Sequence, residues 1–340
     1  MNDVKQNQQV TPQRLMQLAW GYAIPLMIEA AVEHRVFDVL ESGPKTLDQI
    51  ATETGASKRA LRMVMNALAA FELLARDGQH RYSLTPESAA FLVKGKPAYL
   101  GGLFGHTSSQ LMPKWQKLST ILRTGKPEVM VNEESASEFF EKFVEDIFPM
   151  SYPSAQRLAE VLKIGTSSTP VRVLDLATGS GVWGIALAQK SPNVTVTAVD
   201  WKNVLPVTRR VAQRHGLANR FKFVEGDLAS ADFGTGHNVA TLGHILHSEG
   251  EQRSRDLIKK TFAALAPGGT IAIAEFLCND DRSGPPNALV FAVNMLVNTE
   301  QGDTFTVPEI SSWLKDAGFA DIRTVESPGP SPLILATKPK

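Results

Sequence analysis

At 340 residues, with 35 Lys and Arg balanced by 35 Asp and Glu, the chain is long enough for two cores and carries no charge excess toward nucleic acid or anionic membrane. A polar start (Met1 to Gln9), no run of ~18 apolar residues and a single cysteine, Cys278, argue against a secretion signal, a membrane span and an internal disulfide. A cytoplasmic protein with neither nucleic-acid nor membrane partners is expected.

Thr11 to Val32 carries apolar residues at helical spacing (Leu15, Leu18, Ala19, Tyr22, Ala23, Leu26), and the pattern continues into Val36 to Leu40. Thr46 reads as the N-cap of a short helix, and Ser57 as the cap of the next, whose apolar face is Leu61, Val64, Met65, Leu68 and Leu74. Asp77-Gly78-Gln79 then forms a hairpin tip before Arg81 to Thr85. Two helices and a β-wing over roughly residues 36–92 describe a winged helix. Lys58, Arg59, Arg62, Arg76, His80 and Arg81 are the cations a DNA reader would need, but they are few in a neutral chain. Packing or dimerisation is the preferred role for this domain.

Residues from about Lys94 to Ile164 read as helical and connective. Phe139, Phe140, Phe143, Ile147, Phe148, Met150 and Tyr152 form an apolar cluster there, mostly interdomain core. Aromatic side chains also line pockets for flat ligands, so Phe143, Met150 and Tyr152 are kept as candidate pocket residues. Gly165 to Pro170 is a polar linker.

The strongest signal runs from Val171 to Asp200: an apolar strand, Gly179-Ser180-Gly181-Val182-Trp183-Gly184, a helix, and a second strand ending in Asp200. Glycines let backbone approach a ligand, the helix N-terminus faces it, and the distal carboxylate takes ribose hydroxyls. The spacing also suits NAD. However, Asp175 precedes the first glycine by four residues and would repel pyrophosphate, while suiting a ligand with ammonium and sulfonium charges. A third strand leads to Glu225-Gly226-Asp227-Leu228, an acid for an adenine amino group. The ordered set Asp175, Gly179, Gly181, Asp200 and Asp227 favours S-adenosylmethionine. Further strands are predicted near Asn238–Leu242, Thr270–Phe276, Ile322–Glu326 and Leu333–Thr337, with helices over about Gln252–Leu265 and Pro308–Ala317.

Val173 to Gly181, Asp200, Glu225-Gly226-Asp227, Ile245-Leu246-His247 and Ala266-Pro267-Gly268-Gly269 resemble the ordered motifs of class I S-adenosylmethionine-dependent methyltransferases. More narrowly, they resemble the small-molecule O-methyltransferases that include caffeate, hydroxyindole and bacterial polyketide enzymes. The resemblance implies an α/β fold: a Rossmann-like class I domain, its doubly wound sheet ending in an antiparallel strand, preceded by a mostly α-helical winged-helix dimerisation domain. It divides the chain into a dimerisation domain at 1–95, a helical linker at 96–165 that contributes to the substrate pocket, and the cofactor domain at 166–340. By the same resemblance, Ala177, Gly179 and Gly181 line the methionine and ribose, Asp200 binds the ribose diol, Trp201 covers the adenine, and Asp227 with Leu228 holds its edge. Trp183 is expected to pack behind the loop.

His247 falls on the family's general base and Glu275 on the carboxylate that orients it. His is the side chain poised to take a hydroxyl proton near neutral pH. His247 follows a strand's carboxyl end, where α/β sheets place ligands, and His244 is its competitor. Asn294 and Asn298 join Phe143, Met150 and Tyr152 as candidate acceptor-pocket residues, and no metal is expected. Three positions depart from the pattern. His247 is followed by Ser248-Glu249 rather than Asp-Trp, Gly243 replaces a cofactor-contacting lysine, and Thr304 stands where a second carboxylate is expected, with Asp303 adjacent. The reading is methyl transfer to a hydroxyl of an aromatic or polyketide-like small molecule by a homodimer joined through its N-terminal domain. Non-methylating or C- or N-methylating chemistry, and a winged-helix regulator sensing S-adenosylmethionine, are the alternatives.

Overall fold

The computed structural model describes residues 10–131, 138–166, 168–329 and 331–340. The polar start Met1 to Gln9 and Ser167 of the linker lie outside the described residues. Two compact units emerge, Met1–Ser109 and Gln110–Lys340.

The first unit runs α1 (Gln13–Ala19), α2 (Ala23–Glu33), α3 (Val36–Leu40), α4 (Leu47–Thr54), α5 (Lys58–Ala70), β1 (Leu74–Arg76), β2 (Tyr82–Leu84), α6 (Pro86–Phe91) and α7 (Gly101–His106). Where the apolar spacing predicts one helix over Thr11 to Val32, the chain breaks at Trp20–Tyr22. Pro25 explains the break. It has no N–H to give and its ring clashes with a helical carbonyl four residues back, so a first turn tolerates it best. Thr46 closes a capping box, its Oγ1 accepting from the Gln49 N–H at 3.3 Å while its own N–H donates to Gln49 Oε1 at 2.8 Å. Ser57 occupies the next N-cap position without a side-chain hydrogen bond. Phe37, Leu40, Ile50, Met65, Leu68 and Leu74 form the core with Tyr82, whose hydroxyl donates to Asn66 Oδ1 at 2.7 Å. Among the described residues, 13–33 is the one helical stretch apolar and long enough to cross a bilayer.

The second unit begins with α8 (Met112–Trp115), α9 (Leu118–Thr124), α10 (Glu138–Asp146) and α11 (Phe148–Val161). It continues with β3 (Val171–Leu176), α12 (Val182–Lys190), β4 (Val194–Asp200), α13 (Leu205–Arg214), β5 (Phe221–Glu225) and β6 (His237–Gly243). It ends with α14 (Leu246–Ala264), β7 (Leu265–Ala274), α15 (Pro286–Asn298), α16 (Val307–Asp316), β8 (Ala320–Val325) and β9 (Leu333–Thr337). Seven strands form one sheet in the order β5-β4-β3-β6-β7-β9-β8. The first five are mutually parallel, and β9 runs antiparallel to both neighbours. One face carries Val173, Val196, Ala198 and Phe221 against α12 and α13, the other Leu174, Leu176 and Val199 against residues of α14 and α16. Each fully buried Val, Leu or Ile contributes ~1.5–3 kcal/mol, so both faces hold the strands rigidly. That rigidity fixes the carboxyl ends of β3, β4, β5, β6 and β7, from which every site loop departs.

Candidate active site

At the end of β3, Asp175 is fully buried. Its Oδ2 accepts from Thr178 Oγ1 (2.9 Å) and the Gly184 N–H (3.0 Å), and its Oδ1 accepts from Thr241 Oγ1 at 2.7 Å. Burial pushes its pKa up to about 6 against the pull of these donors. The expectation that Asp175 faces the ligand is therefore corrected: its acceptor sites are spent beneath the glycine loop, which it braces. Gly181 adopts φ +81° at the N-cap of α12, a left-handed conformation costly for other residues. Gly184 serves close approach instead, since a Cβ there would lie 2.7 Å from Val196 Cγ1 and 3.0 Å from Asp175 Oδ2.

Asp200 stands at the rim. Its Oδ2 accepts from the Gly179 N–H and its Oδ1 from the Trp201 N–H, both at 2.8 Å. Burial, aided by the charge of Asp175, raises it to about 6. Ala177 (φ +49°), Gly179 and Gly181 form the loop between these two acids. The half-buried Trp201 meets Phe140 edge-on at 5.8 Å, and a Cβ on Gly179 would touch Val144 at 3.4 Å. Phe140 and Val144, four residues apart on α10, thus roof the loop. Glu145 pins α10 to α13 through Arg210 (2.6 Å) and Arg214. The sequence pattern marks these aromatics but not that α10 covers this loop.

Asp227 follows β5. Its Oδ1 accepts from the Ala229 N–H at 2.8 Å and its Oδ2 faces Arg253 at 3.4 Å, while Leu228 is buried. Trp183 is buried, with its ring 6.5 Å from that of His244 beyond β6, and explains one departure from the family pattern. A Cβ on Gly243 would overlap its indole, so the place of the family's lysine is filled by Trp183.

His247 lies in the first turn of α14, with its ring against Phe291 edge-on at 4.9 Å and Phe276 at 6.1 Å. Its Nδ1 is 2.7 Å from Glu275 Oε2, and its backbone N–H donates to Glu275 Oε1 at 3.3 Å. Burial alone would raise Glu275, but His247, and then His244, hold it below the ordinary carboxylate range. Among the described residues no protein group hydrogen-bonds His247 Nε2. His244 is differently placed. It has φ +60°, its Nε2 meets Ser331 Oγ at 2.9 Å, and burial lowers its pKa to about 4.

The helix α14 starts six residues earlier than predicted, with a kink at Gly250 (φ +74°, ψ 175°) between the His247 turn and the long segment. Gln301 makes that glycine necessary, its carbonyl oxygen lying 2.6 Å from where a Cβ would be. The Asp303 N–H donates to the His247 carbonyl at 2.9 Å. Thr304 is fully buried, with no partner for its Oγ1 among the described residues, and the Asp303 carboxylate turns to Arg282 at 3.5 Å.

The expected pocket residues divide. Asn294 Oδ1 accepts from Trp115 Nε1 (3.0 Å) and from Asn298 Nδ2 (3.1 Å), which locks its amide; Asn298 itself is sealed from solvent. Both lie on α15 with Phe291, a wall residue the sequence reading missed. Phe143 sits on α10 beside Phe139 at 5.8 Å, and Met150 in the first turn of α11. Tyr152 is corrected. Its hydroxyl donates to Gln189 Oε1 at 2.6 Å and its ring stacks on Phe148, at the end of α12 remote from the glycine loop.

Parallel strands in this order, an antiparallel final strand, and a glycine loop with acids at successive strand ends define the class I methyltransferase fold. Family models match in two places, an O-methyltransferase dimerisation domain over residues 16–94 and an O-methyltransferase domain over 115–320. The chain is 31% identical to 3-hydroxy-5-methyl-1-naphthoate 3-O-methyltransferase of Streptomyces sahachiroi, over 96% of this chain and 95% of that one. It is 28% identical to the tetracenomycin polyketide synthesis 8-O-methyl transferase of Streptomyces glaucescens, over 97% of each. Human N-acetylserotonin methyltransferase, solved with S-adenosylmethionine, superposes with a TM-score of 0.84 at 22% identity, covering 98% of this chain and 99% of that one, and so shares the fold. The chain belongs to the O-methyltransferase family and is an S-adenosylmethionine-dependent enzyme carrying that family's dimerisation domain. Of the readings drawn from sequence, this is methyl transfer to oxygen.

Proposed function

We propose that the enzyme methylates a hydroxyl of an aromatic or polyketide-like small molecule, with His247 as general base and Glu275 as the carboxylate that orients it. The observation carrying this reading is the 2.7 Å Nδ1–Oε2 contact, buried at the carboxyl ends of β6 and β7. An ionised Glu275 selects the tautomer that donates from Nδ1 and leaves the Nε2 lone pair to accept a proton. As that proton arrives, the imidazolium gains a charge-assisted partner in the buried Glu275 carboxylate. Phe276 and Phe291, with ring centroids 4.3 Å apart, provide apolar surface beside the base for a flat acceptor. The named activities of the naphthoate and tetracenomycin relatives support an acceptor of that kind.

The residues present suit S-adenosylmethionine. The rim carboxylate of Asp200 matches a ribose diol, Asp227 with Leu228 matches the adenine edge, and Ala177, Gly179, Gly181 and Trp201 flank the space between. When bound, the cofactor supplies a methyl group already activated on a sulfonium cation. The protein's remaining tasks are to position the acceptor and remove its proton, and one base suffices. Thr304 in place of a second carboxylate leaves Glu275 as the group that tunes His247.

The N-terminal unit joins two copies into a homodimer. Incubating the full chain with methyl-labelled S-adenosylmethionine and a panel of hydroxynaphthoates and polycyclic phenols tests the reading. Labelled methyl ethers from at least one member are expected, and they should be lost in His247→Ala. Label on carbon or nitrogen alone, or ether formation undiminished in that variant, would overturn it.

A further inference from the structure

The helix that opens with the His247 turn also reaches the loop after β5. Arg253, one turn beyond the Gly250 kink, is held by Glu249, its Nε donating to Glu249 Oε2 at 2.5 Å. Its Nη2 lies 3.4 Å from Asp227 Oδ2. Glu249 is 7% exposed, so this carboxylate is buried on its arginine rather than solvated. Two helical turns further on, Lys260 donates from Nζ to the carbonyls of Leu228 (2.8 Å) and Ala229 (3.0 Å), and lies over the Phe233 ring at 4.1 Å. One helix thus grips one three-residue loop twice, by carboxylate and by backbone.

Glu249 is also where this sequence departs from the Asp-Trp that follows the base in the family pattern. A buried acid there has one evident employment, to fix Arg253. Without Arg253, Asp227 Oδ2 has no other protein donor among the described residues, and its carboxylate is set only by the Ala229 N–H on Oδ1.

We propose that Arg253, held by Glu249, is a positioning residue for cofactor recognition: it orients the Asp227 carboxylate toward the exocyclic amino group of adenine. The inference rests on the reading of Asp227 as the adenine partner. A fixed carboxylate acceptor rejects a base that lacks the amino donor, because the mismatched pair leaves a desolvated group unsatisfied. Arg253 therefore contributes to selecting adenine over a 6-oxo purine, while Lys260 keeps the loop at its height.

The test measures calorimetric dissociation constants of S-adenosylhomocysteine and S-inosylhomocysteine for the full chain. Wild type should prefer the adenosyl ligand by about tenfold or more, the discrimination one hydrogen-bond partner gives. Arg253→Met and Glu249→Gln should reduce that ratio several-fold through weaker adenosyl binding, with the inosyl affinity little moved. Arg253→Lys should restore part of it, and Arg253→Met added to Asp227→Ala should change nothing further. A purely structural arginine would weaken both ligands equally and leave the ratio intact. If Asp227→Ala collapses the ratio while Arg253→Met and Glu249→Gln keep it, the positioning role is wrong. If Asp227→Ala itself keeps the ratio, the assignment of Asp227 fails and the inference with it. Melting temperatures of each variant confirm that the folded chain is being measured.

Discussion

Glu275 takes two hydrogen bonds from a single residue: the ring Nδ1–H of His247 on one oxygen and its backbone N–H on the other. The carboxylate thereby fixes the tautomer of the His247 ring, the proposed base, and the position of the turn that carries it. Removing the ring should cost most. His247→Ala is expected to lower kcat by ~10²–10⁴, the range for a positioned general base, with little change in S-adenosylmethionine affinity. Glu275→Gln keeps the shape but loses the charge, and should lower kcat by roughly tenfold or more while leaving the acceptor KM nearly as it was. Steady-state kinetics on both variants, with calorimetry for the cofactor, checks this; a large kcat loss in His244→Asn beside a small one in His247→Ala would move the base assignment to His244.

The two acids of the glycine loop should separate by phenotype, although both are raised toward 6. Asp200 sits at the rim, and Asp200→Ala should weaken S-adenosylmethionine binding by ~1.5–3 kcal/mol, the usual loss of a charge-assisted partner. Asp175→Ala strands the donors of Thr178, Thr241 and Gly184 in the core, so it should chiefly lower stability, by about 2–4 kcal/mol. Calorimetric titration beside thermal denaturation distinguishes them. A normal melting temperature with lost cofactor binding in Asp175→Ala would return that residue to the ligand.

Much of this was legible because the second unit's sheet is written in short-range signals. Alternating Val and Leu and the glycine loop place strands and the first turn locally, and the order of acids names the loops that meet. Pro267-Gly268-Gly269, by contrast, lies inside β7, which starts five residues ahead of the expected Thr270. What escaped depended on contacts far along the chain. Phe291 touches His247 across 44 residues, and α15 is apolar enough to conceal which face turns to the site. Tyr152 carries the right residue type for a pocket, but its hydroxyl is claimed by Gln189, which no local pattern announces. Arg253 and Glu249 look like an ordinary solvated i, i+4 pair until the kink at Gly250 brings them against Asp227. Pro25 is the local signal for the break between α1 and α2, and apolar spacing alone does not show it.

His244 predicts a pH dependence of stability. Its folded pKa, about 4, lies below the ordinary 6.5, so the unfolded chain binds more protons between those values. The stability it contributes is present above about pH 6.5 and is lost as pH falls toward 4. Asp175 and Asp200 act oppositely, since raised carboxylates favour the folded state more as pH falls through about 6 to 4. The clean measurement is a difference. His244→Asn keeps a side chain tolerant of positive φ and removes the titration, so the wild type's melting-temperature margin over the variant should shrink as pH drops from 7 to 4.5. A margin that stays flat or widens would show that His244 protonates without penalty in the folded chain.

Assembly should depend on the first two helices. No residue of α1 is buried, and Leu15, Met16, Leu18, Trp20 and Tyr22 are all more than half exposed, with the Trp20 and Tyr22 rings stacked at 6.1 Å. Apolar side chains gathered this densely at a surface mark an interface, and the dimerisation-domain match begins at residue 16. A stable homodimer buries upward of about 1,000 Å², which a few scattered side chains cannot supply but two helices can. Leu15→Glu with Leu18→Glu places charge on that surface and disturbs no buried position. Wild type should run as a dimer by light scattering at micromolar concentration, and the double variant as a folded monomer. Truncation before Val36 should give monomers or aggregates, because it also removes Ile28 and Ala31 from the core of the unit. A wild-type chain that is monomeric under those conditions would refute the interface, and a double variant that remains dimeric would move it elsewhere on the N-terminal unit.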